Sequence, residues 1–132
     1  MKKILFLVLI SITAVACNKT AFEPKGPTDV RVRNISDVIF TEVTVKIDEE
    51  SYVLGDIPAG EVSAFQRYET AYPKAEISAK INGVLFSTGP IDNTYSQYMG
   101  LMRITYVVYI SNMTNKELTI DDVITEEPLV LE

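Results

Sequence analysis

One cysteine, a set of C-terminal carboxylates and a tyrosine-bearing loop are the residues of this chain whose types could do chemistry. Cys17 is the sole cysteine among 132 residues, so its thiol has no partner for an internal disulfide but can be alkylated. Asp121, Asp122, Glu126 and Glu127 offer oxygen ligands of the kind that hold Ca²⁺. The glycine-turned spacing of a calcium loop is absent, and a charge run of this sort is more simply a solvated acidic tail. Asp48-Glu49-Glu50 reads the same way, as exposed acids in a hairpin bend. Tyr95, Tyr98 and Met99 share one long loop, where aromatic and methionine side chains suit a partner-contact patch. Tyr95 and Tyr98 lie three apart and equally suit a lid that plugs one end of a core. Tyr72, on the loop 69–74, and Tyr109, on the outer face of a strand, are weaker companions for partner contact.

What the chain lacks narrows its chemistry. It has no histidine and no tryptophan. That removes Ser-His-Asp and Cys-His catalysis and histidine-ligated zinc. Paired-carboxylate hydrolysis needs two acids across a cleft, and the sequence marks no such pair. The expectation is a non-enzymatic protein without cofactor or metal.

The first seventeen residues explain the cysteine. Met1-Lys2-Lys3 is a basic start, residues 4–10 are an unbroken apolar run, and small residues close the segment at Ala14-Val15-Ala16-Cys17. This is the pattern of a signal peptide. Its core is too short to cross a bilayer as a helix, which takes about 20 apolar residues. Two peptidases could cut the Ala16–Cys17 bond. Ala14-Val15-Ala16 satisfies the ordinary A-x-A rule, which would release a soluble protein. With Cys17 next, the stretch also resembles a lipobox, although Ala14 stands where leucine is usual. Cysteine arithmetic favours lipidation, because a lone free thiol at a mature N-terminus is otherwise a reactive leftover. Each buried acyl CH₂ contributes roughly 0.8 kcal/mol, and two or more chains anchor stably. Asn18, rather than aspartate, after the cysteine points to the outer membrane.

Removing residues 1–16 of the 132 leaves 116, enough for one domain with one core. Lys2 and Lys3 leave with the signal, so net charge moves from −6 to −8. An acidic surface repels nucleic acid and anionic lipid, so no nucleic-acid partner is expected. Residues 18–27 carry Pro24, Gly26 and Pro27 and no periodicity. With Cys17 they form a flexible tether, whose ten residues reach at most roughly 33–36 Å. Phe22 is its one large apolar side chain.

From residue 28 to 132 the apolar period is two. Val30 and Val32 alternate with Arg31 and Arg33 in a first strand. Residues 38–48 form a second, in which Val38 and Phe40 are out of phase with Val43, Val45 and Ile47. A β-bulge near Phe40 and Thr41 would bring both sets to one face. Residues 51–54 make a short third strand, residues 55–61 a tight connection, and residues 62–68 a fourth strand with Ser63 and Phe65 on one face. Ala75, Ile77, Ala79 and Ile81 alternate with polar residues up to Asn82-Gly83, a strong hairpin signal before Val84-Leu85-Phe86. Residues 88–100 are the longest break. Residues 101–110 make the longest strand, with Met102, Ile104, Tyr106, Val108 and Ile110 on the core face. Residues 117–120 begin a last strand, whose tail continues as an edge or frays. This pattern predicts an all-β fold: an antiparallel two-sheet sandwich of about seven strands.

Two stretches carry a resemblance. They are Val30-Arg31-Val32-Arg33-Asn34-Ile35-Ser36-Asp37-Val38-Ile39-Phe40 and Gly55-Asp56-Ile57-Pro58-Ala59-Gly60-Glu61-Val62-Ser63. With the export segment they cover about half the chain, and they resemble small lipoproteins of the Bacteroidetes type. The resemblance implies an immunoglobulin-like or transthyretin-like sandwich and carries over no catalytic or binding residues. The expected protein is a lipid-anchored envelope module that binds an envelope protein or glycan. The alternative is a structural or assembly subunit that pairs through an exposed strand edge, either residues 30–34 or the C-terminal strand.

Overall fold

A computed structural model describes residues 26–128. The export segment, Cys17, Phe22 and most of the tether lie outside the described residues. Eight strands follow in order: β1 (Thr28–Asn34), β2 (Phe40–Ile47), β3 (Glu50–Ile57), β4 (Gln66–Tyr68), β5 (Glu76–Ile81), β6 (Val84–Ser87), β7 (Met102–Asn112) and β8 (Glu117–Pro128). The fold is all-β, as period two requires.

The sheet organisation differs from an antiparallel two-layer sandwich of seven strands. All eight strands hydrogen-bond into one mixed sheet, in the order β3-β2-β5-β6-β8-β7-β1-β4. β1 runs parallel to β7 from Asp29 opposite Arg103 to Asn34 opposite Val108. β6 runs parallel to β8 at one bridge, Ser87 opposite Glu117. Apolar periodicity sets which face a residue takes, but it is blind to strand direction, so these parallel pairs could not be read from it.

The sheet curls until its two edge strands meet. Tyr68 of β4 sets its ring edge-on to Tyr52 of β3, with centroids 5.0 Å apart. The Tyr68 hydroxyl donates to the Val45 carbonyl at 2.7 Å, and the Glu69 N–H donates to Glu50 Oε1 at 2.7 Å. Inside lie Val30, Val32, Phe40, Val45, Ile77, Ile104 and Tyr106, each fully buried. Each aliphatic or phenylalanine side chain so buried contributes about 1.5–3 kcal/mol.

The bulge expected in β2 is present, one or two residues further on. Phe40 faces Ile57 and Val43 faces Gly55, so three steps on β2 meet two on β3. Glu42 takes up the extra residue at φ 50°, and its N–H donates to Asp56 Oδ1 at 3.0 Å. A compensating extra residue follows in β3, where Gly55 has φ 94°. Phe40, Val43, Val45 and Ile47 thereby all face the core.

Two boundaries move. Gly55, Asp56 and Ile57 belong to β3, and the turn begins only at Pro58, whose carbonyl accepts the Glu61 N–H at 3.0 Å. The fourth strand shrinks to Gln66–Tyr68. Upstream of it, Val62 makes only an isolated bridge to Arg33. The Ser63 hydroxyl replaces a backbone acceptor by taking the Val32 N–H at 3.1 Å. A side chain has entered the ladder, and the strand breaks there. At the Asn82-Gly83 turn both residues have positive φ, 54° and 79°, as the hairpin signal requires.

Asn34 seals the end of β1. It is fully buried, its amide donates to the carbonyls of Val38 (2.8 Å) and Ile57 (2.9 Å), and its Oδ1 accepts from the Ser36 N–H (2.9 Å) and hydroxyl (2.7 Å). β7 covers one side of β1, and β4 with the connection 60–63 covers the other, so residues 30–34 are not a free edge.

Candidate functional site

The long break 88–100 leaves the sheet at the end of β6 and returns at β7. Thr88 pins its start to β5: the Thr88 N–H donates to the Ile77 carbonyl at 2.9 Å, and Thr88 Oγ1 accepts the Ile77 N–H at 3.0 Å. Its end is tied down by the Met99 N–H donating to the Ala71 carbonyl at 2.8 Å, and by the buried Thr28 hydroxyl donating to the Gly100 carbonyl. Between these anchors the loop carries three of the five tyrosine and methionine candidates.

The structure sorts those candidates by burial. Tyr95 is 97% exposed. Tyr98 and Met99 are half-buried and pack on the core. Tyr98 tilts against the buried Tyr72 with ring centroids 5.5 Å apart. Tyr72, Tyr98 and Met99 thus close one end of the core, while Tyr95 projects from the same loop. Tyr109 lies apart, half-buried in a groove with Ile35, Asp37 and Met113.

Several grooves border these elements. The first, of about 370 Å³, is polar and lined by Asp48, Tyr72, Asp92, Asn93, Thr94, Ser96 and Tyr98 among others. The Tyr72 hydroxyl donates to Asp48 Oδ2 at 2.8 Å. Burial, and then that bond to a carboxylate, push the Tyr72 hydroxyl up to about 12. Asp92 is held below the usual carboxylate range by bonds from the Thr94 hydroxyl and N–H. Asn93 Oδ1 is buried without a hydrogen-bond partner among the described residues. The groove offers hydroxyls, an amide and carboxylates, which can bind a polar group.

The second groove, of about 420 Å³, runs along β8. One wall is Leu118, Thr119, Ile120, Asp121, Asp122 and Val123; the other is Pro73, Lys74, Thr88 and Ile91. β8 pairs with β7 along its length but meets β6 only at Glu117. Past that bridge the chain is held on β5 by Thr88, so among the described residues no strand pairs with the outer backbone edge of β8, which is open. Asp121 is a bulge in β8: Val107 faces Asp122 and Val108 faces Ile120, which leaves Asp121 without an opposite residue. The bulge keeps both Ile120 and Val123 packed toward the core. Asp122 Oδ1 accepts the Val123 N–H at 2.8 Å. The third groove, of about 440 Å³, is the one beside Tyr109.

The acidic set is therefore strand, not tail. Asp121 and Asp122 are exposed beside the β8 groove, and Glu126 pairs with Arg31 at 3.2 Å on the outer face of the sheet. Among the described residues no three of His, Cys, Asp and Glu converge on a point that could hold a metal ion.

A cluster on the outer face escaped the sequence reading. Arg31 Nε donates to Thr105 Oγ1 at 3.0 Å, and its guanidinium lies 4.5 Å from the centroid of the Phe65 ring. Arg103 approaches the same ring at 5.6 Å. Thr105, on the nominally outward face of β7, is buried as a result. The only sequence signal was Arg31 and Arg33 on one strand and Arg103 on another that turns out to be its neighbour.

No protein-family model matches the chain, and no curated protein matches it in sequence.

Proposed function

We propose that the protein is a lipid-anchored, non-enzymatic interaction module of the bacterial cell envelope. One observation carries the binding part: the groove beside β8 joins an apolar wall to an open strand edge, the two features that recognise an extended chain. The export segment and the lone Cys17 support the anchoring part, with residues 17–27 as tether and acyl groups on the sulfur. The outer membrane is the membrane this reading assigns. Kinship with immunoglobulin-like or transthyretin-like sandwich domains belongs to the same proposal; an all-β, mostly antiparallel, nearly closed sheet supports it.

Two measurements test the reading. Cys17→Ser should move the protein from the membrane pellet to the soluble fraction after a carbonate wash, and the intact wild-type mass should carry acyl chains. A bare thiol in that spectrum refutes the anchor. Photo-crosslinking residues placed at Thr119 and Tyr95 in cells should join the protein to an envelope partner. A folded protein that cross-links from neither position refutes the module.

The second reading is an assembly subunit that pairs by strand addition. The same open β8 edge favours it, and residues 30–34 no longer do. Size in detergent separates the two, monomer for the module and oligomer for the subunit.

A further inference from the structure

The open edge of β8 has a length, a polarity and a charge, and together they describe its occupant. Six residues, Leu118–Val123, line it. At about 3.3 Å per residue that is roughly 20 Å, room for a partner strand of five or six residues. Successive residues of a strand turn their backbone groups to opposite sides. β7 takes those on one side of β8, and the others face the groove. The Val123 N–H, on a residue that lines the groove, donates to the Asp122 side chain at 2.8 Å.

The opposite wall distinguishes this edge from one that is merely protected. A strand edge is kept from indiscriminate pairing by charges and bulges, and Asp121 and Asp122 supply both. Protection needs no facing wall. Here Pro73 and Ile91 stand across from the edge and give apolar side chains of an added strand a surface to cover.

Charge then selects the partner. Asp121 and Asp122 are exposed at the edge and form no ion pair among the described residues, while Lys74 is the one cation of the lining. The chain as a whole carries −6. A second copy docking here would pair β8 against β8 about a two-fold axis. Centred on residues 118–123, that pairing would set Asp121 diagonally across from its own counterpart with no cation added, and two chains of −6 repel each other. A strand bearing lysine or arginine meets the opposite situation.

We propose that the β8 edge receives an extended segment of another protein, five or six residues long, in which apolar residues alternate with lysine or arginine. The inference rests on the interaction-module reading and names the chemistry of its partner.

The probe is a hexapeptide alternating lysine with valine, carrying a fluorophore and a photoreactive group, added to the detergent-solubilised full-length protein. A second hexapeptide alternates glutamate with valine. The lysine peptide should bind more tightly, weaken as salt rises, and label residues 118–123. Asp121→Lys combined with Asp122→Lys should weaken the lysine peptide about tenfold, since several exposed ion pairs change sign together, and reverse the preference between the two peptides. Thermal unfolding of the double variant shows that it is folded. Equal binding of the two peptides, labelling away from 118–123, or an unchanged preference in the double variant overturns the proposal. So does a concentration-dependent dimer that cross-links through Thr119, or labelling blocked by residues 17–25 of the same chain. If cells show a cross-linked partner at Tyr95 while the lysine peptide fails, the module reading stands and the edge assignment falls.

Discussion

Replacing Asn34 by alanine should cost about 2–4 kcal/mol, more than any surface polar residue. The side chain is fully buried and makes four hydrogen bonds that join the end of β1 to the turn before β2 and to the end of β3. A typical intramolecular hydrogen bond contributes about 0.5–1.5 kcal/mol net, and a buried partner left unsatisfied costs about 1–3 kcal/mol. The Ile57 carbonyl sits in a buried bond and falls in the second class. Val38 and Ser36 are half-buried and can recover part of their loss from water. The sum is then about 1–3 kcal/mol for Ile57 and under about 1 kcal/mol for each of the others. With an m-value of about 2 kcal/mol/M, the urea midpoint falls by roughly 1–2 M. Asn34→Asp sharpens the test, because it keeps the shape and loses the donor. Its carboxylate would face the Val38 and Ile57 carbonyls, so the variant should be less stable than Asn34→Ala at neutral pH and recover in part as acid protonates it. If Asn34→Ala unfolds within about 0.5 kcal/mol of wild type, the bonds at this seam do not hold β1 to β3 and the argument fails.

Tyr72 should make stability fall in alkali. Its folded hydroxyl titrates at about 12 against 10.0 for the free group, so its contribution is complete below pH 10 and is lost as pH rises from 10 through 12. Burial raises Tyr68 and Tyr106 further in the same direction. Urea midpoints measured between pH 9 and 12 should decline less steeply in Tyr72→Phe than in wild type, and parallel curves would contradict the assignment. Tyr95→Ala should leave stability within about 0.5 kcal/mol, while Tyr98→Ala, which strips the ring from Tyr72, should cost about 1–2 kcal/mol. Thermal unfolding reads both, and equal losses would mean that the loop is not divided between an exposed tip and a core lid.

Local chemistry was enough to set much of this protein. Alternation at Val30 and Val32, and at Ala75 to Ile81, named the core faces, because a side chain's face depends only on its parity along the strand. Asn82-Gly83 named its turn, because positive φ suits few other residues. The phase break at Phe40 named a bulge, because two apolar sets can share a face only across an extra residue. Partnership between distant segments lies beyond such signals. Which strands run parallel, that Ser63 replaces a carbonyl in the ladder, that Asn34 bridges three segments, and that Arg31 and Phe65 cover Thr105 all depend on residues 23 to 74 positions apart coming together. The same limit applied to the candidate surface. Tyrosines on a loop could be seen in the sequence, but only the curled sheet decided that Tyr98 turns inward and Tyr95 outward, and that β6 departs after one bridge and leaves β8 open. Parity is a property of neighbours along the chain. An open edge is a property of which strand failed to arrive.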